Sequence, residues 1–217
     1  MTGNNTPEKI KINDWTFRIK QPSVDKDQGK VLLLLHGHLG NENAMWILTD
    51  PLPETYTMLA PRAPVQTGDE QYSWHEISPQ WPAIEKYQTL TDALLSRVDH
   101  WIEDNDLDVD QYDVMGFSQG AVMAYALALL HPGKIGKIAA LAGFIPQAWQ
   151  SEFDPRSLSG KSFFIAHGTQ DKMVPIKKGR QAAAWIEENG ADVTFCEAEV
   201  GHKLSANCFK GLGEFFQ

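Results

Sequence analysis

Cysteine is scarce, basic charge is in deficit and long apolar runs are missing, and each absence removes a class of protein. Two cysteines, Cys196 and Cys208, in a chain of 217 residues can build neither a disulfide framework nor a four-ligand zinc site. Two buried thiols are expected, rather than one bridge. Nineteen Lys and Arg against 28 Asp and Glu give a net charge of −9. That is the opposite of the basic face by which a protein holds nucleic acid, and it disfavours an anionic membrane surface. The longest apolar runs, Val31–Leu35 and Ala121–Leu130, fall far short of the roughly 20 residues that span a bilayer. The opening MTGNNTPEKIKIND has no apolar core of the kind a signal peptide needs, so a cytoplasmic location is expected. The acidic run Glu103–Asp110 fails as a calcium loop. A loop starting at Asp104 would need Gly at position 109 and Glu at 115, where the chain has Val109 and Met115.

What the chain does have is apolar bulk in a regular rhythm. Seven Trp, ten Phe and five Tyr provide large groups for a core and exclude disorder. The length fits one domain, residues 1–217, with residues 1–9 as a flexible leader. Ile10 and Ile12, then Trp15, Phe17 and Ile19, alternate on either side of Asn13-Asp14, the pattern of an edge hairpin. Residues 21–30 read as a polar loop. The continuous run VLLLLH at 31–36 marks a strand buried on both faces. Further strands are expected at 56–60, 112–116, 137–142, 162–167 and 192–198. Helices are expected at 42–49, 83–105, 119–130, 176–188 and 205–216, and a proline-punctuated loop at 61–81. Strands alternating with helices argue for an α/β fold, a mostly parallel sheet with helices on both faces.

One segment carries chemistry. Gly116-Phe117-Ser118-Gln119-Gly120 matches G-x-S-x-G, follows the strand YDVM and opens the helix QGAVMAYALALL. A strand, a sharp turn and a helix form the setting of a nucleophile elbow. The turn strains Ser118, and small residues at 116 and 120 avert clashes. The helix N-terminus behind it favours developing negative charge.

A neutral serine needs a base, and the base needs an orienting carboxylate. Asp171, in HGTQDKMVP after the strand SFFIAH, is the expected acid. Asp154 and Asp192 are alternatives, the first in a loop before its strand and the second at a strand start. His202, in Gly201-His202-Lys203-Leu204-Ser205 after the last strand, is the expected base, with His75 as runner-up. His36 and His167 end strands and precede Gly, where a ring can brace a loop by hydrogen bonding. An oxyanion hole needs two amides. Gln119 supplies the one after the nucleophile. The second belongs to the loop His36-Gly37-His38-Leu39-Gly40-Asn41, from His38 or, one residue on, Leu39. Arg62, Tyr72, Trp74 and Trp81 are candidate pocket walls, Trp74 and Arg62 with Leu39 foremost.

Taken together, VLLLLHGHLGNE, APRAP at 60–64, GFSQG, HGTQDKMVP and GHKLS resemble the phospholipase/carboxylesterase group of α/β-hydrolases, which includes the acyl-protein thioesterases. The resemblance covers about residues 31–217. It implies an α/β-hydrolase fold, a Ser118–Asp171–His202 triad and esterase or thioesterase activity. The chain departs from the acyl-protein thioesterases at the oxyanion loop. They typically read HGLGD, and this chain reads HGHLGN, nearer the HGRGGNE form of bacterial relatives, which points away from protein deacylation. Dienelactone hydrolases share the fold but typically carry Cys at the nucleophile. The expected activity is therefore that of a serine carboxylesterase on small-molecule esters, needing no metal and no organic cofactor, in a monomer or homodimer. A thioesterase and a non-catalytic binding protein are the rival readings. Lipid hydrolases commonly insert a cap after the strand that follows the nucleophile helix. Here that gap is the segment FIPQAWQSEFDPRSLSGK, too short for a cap domain, so short acyl chains are expected.

Overall fold

The computed structural model describes residues 6–22, 29–76, 78, 80–152 and 158–217. The expectations for residues 1–5, most of the 21–30 loop and Asp154 fall outside the described residues. Among the described residues, ten strands and four α-helices follow one another: β1 (Glu8–Ile12), β2 (Trp15–Lys20), β3 (Lys30–Leu35), β4 (Tyr56–Pro61), β5 (Val65–Gly68), β6 (Gln71–Ser73), α1 (Ile84–Asp104), β7 (Tyr112–Phe117), α2 (Gln119–Leu130), β8 (Ile135–Leu141), β9 (Ser162–Gly168), α3 (Ile176–Glu188), β10 (Asp192–Ala198) and α4 (Ala206–Phe216). Eight strands form one sheet in the order β1-β2-β4-β3-β7-β8-β9-β10. The β1–β2 and β2–β4 pairs are antiparallel, and the others are parallel. This is an α/β-hydrolase fold, and among the described residues no cap domain is present.

The sheet divides two cores. In β3, Val31, Leu33 and Leu35 face one and Leu32 and Leu34 the other, as the period-two pleat requires. The first core holds α2, α3 and the inner face of α1; the second holds α4. Helix α2 is buried from Gln119 to Leu129. A helix apolar all round has no solvent face, and α1 covers it. Among the described residues, the gap at 144–161 includes the 3₁₀ turn Gln147–Ser151. Among the described residues, no helix is long and apolar enough to cross a membrane.

Four local expectations need correction. The leader does not extend to residue 9, because Glu8 and Lys9 open β1 opposite Ile19 and Arg18 of β2. No α-helix forms over 42–49, where only a 3₁₀ turn, Trp46–Leu48, is present. The Asn41 side chain accepts a hydrogen bond from the Asn43 amide at 2.9 Å, a turn that competes with a helix start, and Pro51 and Pro53 follow. The 61–81 segment is not a plain loop, because β5 and β6 pair antiparallel across a bulge. Their sequences, VQTG and QYS, lack the apolar alternation that marks a strand. Cys196 and Cys208 are not thiols but a disulfide, with Cα atoms 5.7 Å apart. Helix α4 doubles back along β10 and brings the pair within bonding range.

Candidate active site

Ser118 stands between β7 and α2 with φ 54° and ψ −115°, a conformation that costs a non-glycine residue energy and persists only where its surroundings impose it. The surroundings do. A Cβ on Gly116 would lie 2.1 Å from the Gly120 carbonyl oxygen, and one on Gly120 would lie 2.0 Å from that of Leu35. Both positions therefore require glycine, and the turn closes directly on the neighbouring strand. The Ser118 amide donates to the Leu141 carbonyl at 2.8 Å. The serine thus sits at the carboxyl edge of the sheet, at the N-terminus of α2.

Asp171 follows β9 at the same edge and is buried. Its Oδ1 accepts from the Met173 and Val174 amides at 2.8 and 2.9 Å. Its Oδ2 lies 2.7 Å from His202 Nδ1. Burial pushes this carboxyl up, but the bonds from His202 and the two amides outweigh it, so it titrates below the usual carboxylate range. An ionised Asp171 can only accept. His202 Nδ1 therefore carries the hydrogen and Nε2 presents a lone pair. The His202 ring lies 5.0 Å from that of Phe117, the residue before Ser118. A Cβ on Gly168 would fall 2.2 Å from the Val200 and Gly201 carbonyl oxygens, so glycine there lets the histidine loop settle on the end of β9. The disulfide spans the same loop, from β10 to the first turn of α4.

The segment after β3 passes beside the serine. A Cβ on Gly37 would be 3.4 Å from that of Ser118. His38 and Leu39 are exposed, and Leu39 has φ 64°. Several groups behind the loop hold it. His36 Nε2 accepts from the Ala63 amide at 3.0 Å, so its Nδ1 donates to the Gly37 carbonyl at 2.7 Å. Burial lowers this imidazole to about 4, keeping it neutral. The Tyr72 amide donates to the Gly40 carbonyl at 3.0 Å. Glu42 is fully buried, with Arg62 forked onto both its oxygens at 2.7 and 2.8 Å and Lys9 at 2.9 Å. Burial alone would raise the Glu42 carboxyl; the bonds from Arg62 and Lys9 hold it down at about 2. The bracing role read for His36 and His167 is present, the latter with Nε2 2.8 Å from the Val174 carbonyl.

Two pocket-wall expectations need correction. Trp74 is 2% exposed and donates its indole N–H to the His36 carbonyl at 2.8 Å; it underpins the loop and faces no open space. Arg62 donates to Glu42, Glu70 and the Tyr72 hydroxyl and stacks on the Tyr72 ring, so its fork is committed. Leu39 does line an apolar groove. The Gln119 side chain makes contacts that its sequence position does not announce. Its buried side chain accepts from the Trp74 amide at 3.1 Å and donates to Ser73 Oγ at 2.9 Å, tying the end of β6 to α2. Nor is the Glu42–Arg62–Lys9 cluster legible, since its members lie far apart in the chain. His75 bonds a backbone carbonyl, that of Glu76, at 2.8 Å, rather than a carboxylate. Asp192 begins β10 opposite Ser162, at the other edge of the sheet.

Residues 17–217 match the family model described as Phospholipase/Carboxylesterase. The chain is 26% identical over 202 residues to acyl-protein thioesterase 1 of Emericella nidulans, covering 80% of this chain and 82% of that protein. It is 32% identical over 95 residues to carboxylesterase SOBER1 of Arabidopsis thaliana, where the match spans less than half of either protein, 42% and 41%. The crystal structure of the Bacillus cereus carboxylesterase superimposes with a TM-score of 0.81 at 22% identity, covering 94% of this chain and 93% of that one.

Proposed function

Because the chain belongs to the phospholipase/carboxylesterase family, we propose that it is a serine carboxylesterase working through an acyl-enzyme on Ser118. The observation that carries this reading is the Asp171–His202 hydrogen bond, at the sheet edge where Ser118 is held in a strained turn. Ser118 Oγ attacks the ester carbonyl carbon while its proton passes to His202 Nε2. The carbonyl oxygen becomes an oxyanion, met by the amides of Gln119 and of His38 or Leu39. The C–O bond to the alcohol then breaks, and His202 gives its proton to the departing oxygen. Water attacks the acyl-enzyme, again losing its proton to His202, and the acid leaves with Ser118 restored. Asp171 stays ionised and holds the ring in the tautomer this sequence needs. These steps use protein groups and water alone.

A groove beside Phe144 adjoins Gly143, where a Cβ would lie 3.2 Å from the Ser118 carbonyl oxygen, and its lining favours a short acyl chain. It holds about 520 Å³ and is walled by Trp81, Phe144, Ile145 and Trp149, but Glu152, Lys178 and Gln181 also line it. A long alkyl chain laid there would desolvate charged groups without partnering them. A thioesterase is the second reading, supported by the relative named as an acyl-protein thioesterase. A fluorophosphonate probe with peptide mapping, run beside p-nitrophenyl acetate hydrolysis, tests the proposal. A Ser118 adduct and turnover are expected. No adduct at Ser118 would leave a non-catalytic binding protein.

A further inference from the structure

A second groove opens on the α4 side of the sheet. It holds about 590 Å³ and is walled by Leu39, Met45, Ile47, Leu48, Leu204 and Phe209. That volume is of the size that takes a small ligand. Ile47 is 78% exposed and Leu39 47%, an unusual amount of apolar surface to leave beside a polar site. The groove is not an isolated dent. One wall is the loop Gly37–Gly40 that passes Ser118, and another is Phe117, whose ring lies 5.0 Å from that of His202. The residues immediately after His202, from Lys203 to Ala206, line it as well.

Its place relative to His202 decides which part of a substrate reaches it. In acyl transfer the departing oxygen must receive a proton from the histidine, so the leaving group stays on the histidine's side. The acyl substituent points away. Every residue of the groove near Phe144 comes from other segments, the 80–83 and 144–152 stretches and α3, and it adjoins the core on the opposite face of the sheet. We propose that the α4-side groove binds the leaving group of the substrate, and that the preferred leaving group is an apolar alkyl alcohol several carbons long. The enzyme is then selective on its alcohol side for a chain, and on its acyl side for shortness. This inference rests on the esterase reading above, and it makes Met45, Ile47, Leu204 and Phe209 specificity-determining.

Two ester series separate the sides: n-alkyl acetates from ethyl to octyl, and ethyl alkanoates from acetate to octanoate, each kept below its solubility limit. At about 0.8 kcal/mol per fully buried CH₂, and about half that in an open groove, kcat/KM should rise about two- to fourfold per added alcohol methylene. The acyl series should rise little beyond butanoate. Ala206 and Ala148 are both exposed, one in each groove, so a large side chain at either obstructs its groove without entering a core. Ala206→Trp and Ile47→Glu should flatten the alcohol slope and leave the acyl slope as it is; Ala148→Trp should do the reverse. A flat alcohol slope in the wild-type protein, or an Ala206→Trp variant that loses acyl-chain dependence, would overturn the assignment. Wild-type turnover of p-nitrophenyl acetate in that case would show that the esterase reading stands while the groove inference has failed. A wild-type protein that hydrolyses no ester sinks both.

Discussion

Replacing Arg62 by Met should cost about 3 kcal/mol of folding stability. Glu42 is fully buried, and Arg62 and Lys9 together hold its carboxyl at about 2 rather than 4.5. That difference converts to about 3 kcal/mol of preference for the charged carboxylate in the fold. Lys9 is 53% exposed, so water screens it and Arg62 supplies most of the effect. Removing one partner of a buried pair costs about 3–5 kcal/mol by general experience, which agrees. The assay is urea unfolding at pH 7, where the midpoint should fall by about 1–3 M. The double variant Glu42→Leu/Arg62→Met should recover much of the loss, because no charge is then buried alone. The sign with pH also follows. A carboxyl depressed in the fold stabilises above pH 4.5, and that stabilisation drains away as the pH falls toward 2. A Glu42→Gln variant should lack that drain. An Arg62→Met protein within 0.5 kcal/mol of wild type, or a double variant as unstable as the single, would show that the cluster does not carry the loop.

Four more outcomes are expected. Ser118→Ala and His202→Ala should each lower kcat by about 10⁴–10⁶ with the fold retained, and the double variant little more; multiplied losses would mean that the two do not act together. Asp171 is held below the usual carboxylate range, so log kcat/KM should fall with a slope of one, not two, as pH is lowered to 4, and Asp171→Asn should lose most activity. His36 titrates at about 4 in the fold instead of 6.5, so stability present above pH 6.5 should drain away as pH falls to 4, and a flat urea midpoint between pH 7 and 5 would contradict this. Among p-nitrophenyl esters from C2 to C16, kcat/KM should peak between C2 and C6 with no jump at the solubility limit; a peak at C12 or beyond would favour a lipase or long-chain thioesterase.

What was legible in the sequence is what is local. The turn at Ser118 is specified by five consecutive residues whose steric demands belong to the turn itself, and the buried strands announce themselves because parallel strands need apolar side chains on both faces. Asp171 and His202 are legible because each lies on a loop that follows one of two parallel strands, β9 and β10, and so comes out at the same sheet edge. The Glu42–Arg62–Lys9 cluster escaped because its members are joined only by folding. Trp74 reads as a pocket wall for the same reason: a loop's composition does not show that β6 folds the residue beneath His36. Cys196 and Cys208 read as separate thiols because the pairing depends on how α4 returns along β10.

The disulfide puts His202 inside a covalent ring. Its cysteines are 12 residues apart, and closing a loop of that size removes about 3 kcal/mol of chain entropy from the unfolded state. Total stabilities of about 5–15 kcal/mol are typical, so the bond would represent roughly a fifth to three-fifths of the whole. One sequence therefore describes two materials. Matured where thiols oxidise, the chain is a robust molecule with its histidine loop tethered at both ends; kept where glutathione reduces them, it is a marginal one whose histidine loop is free to fray first.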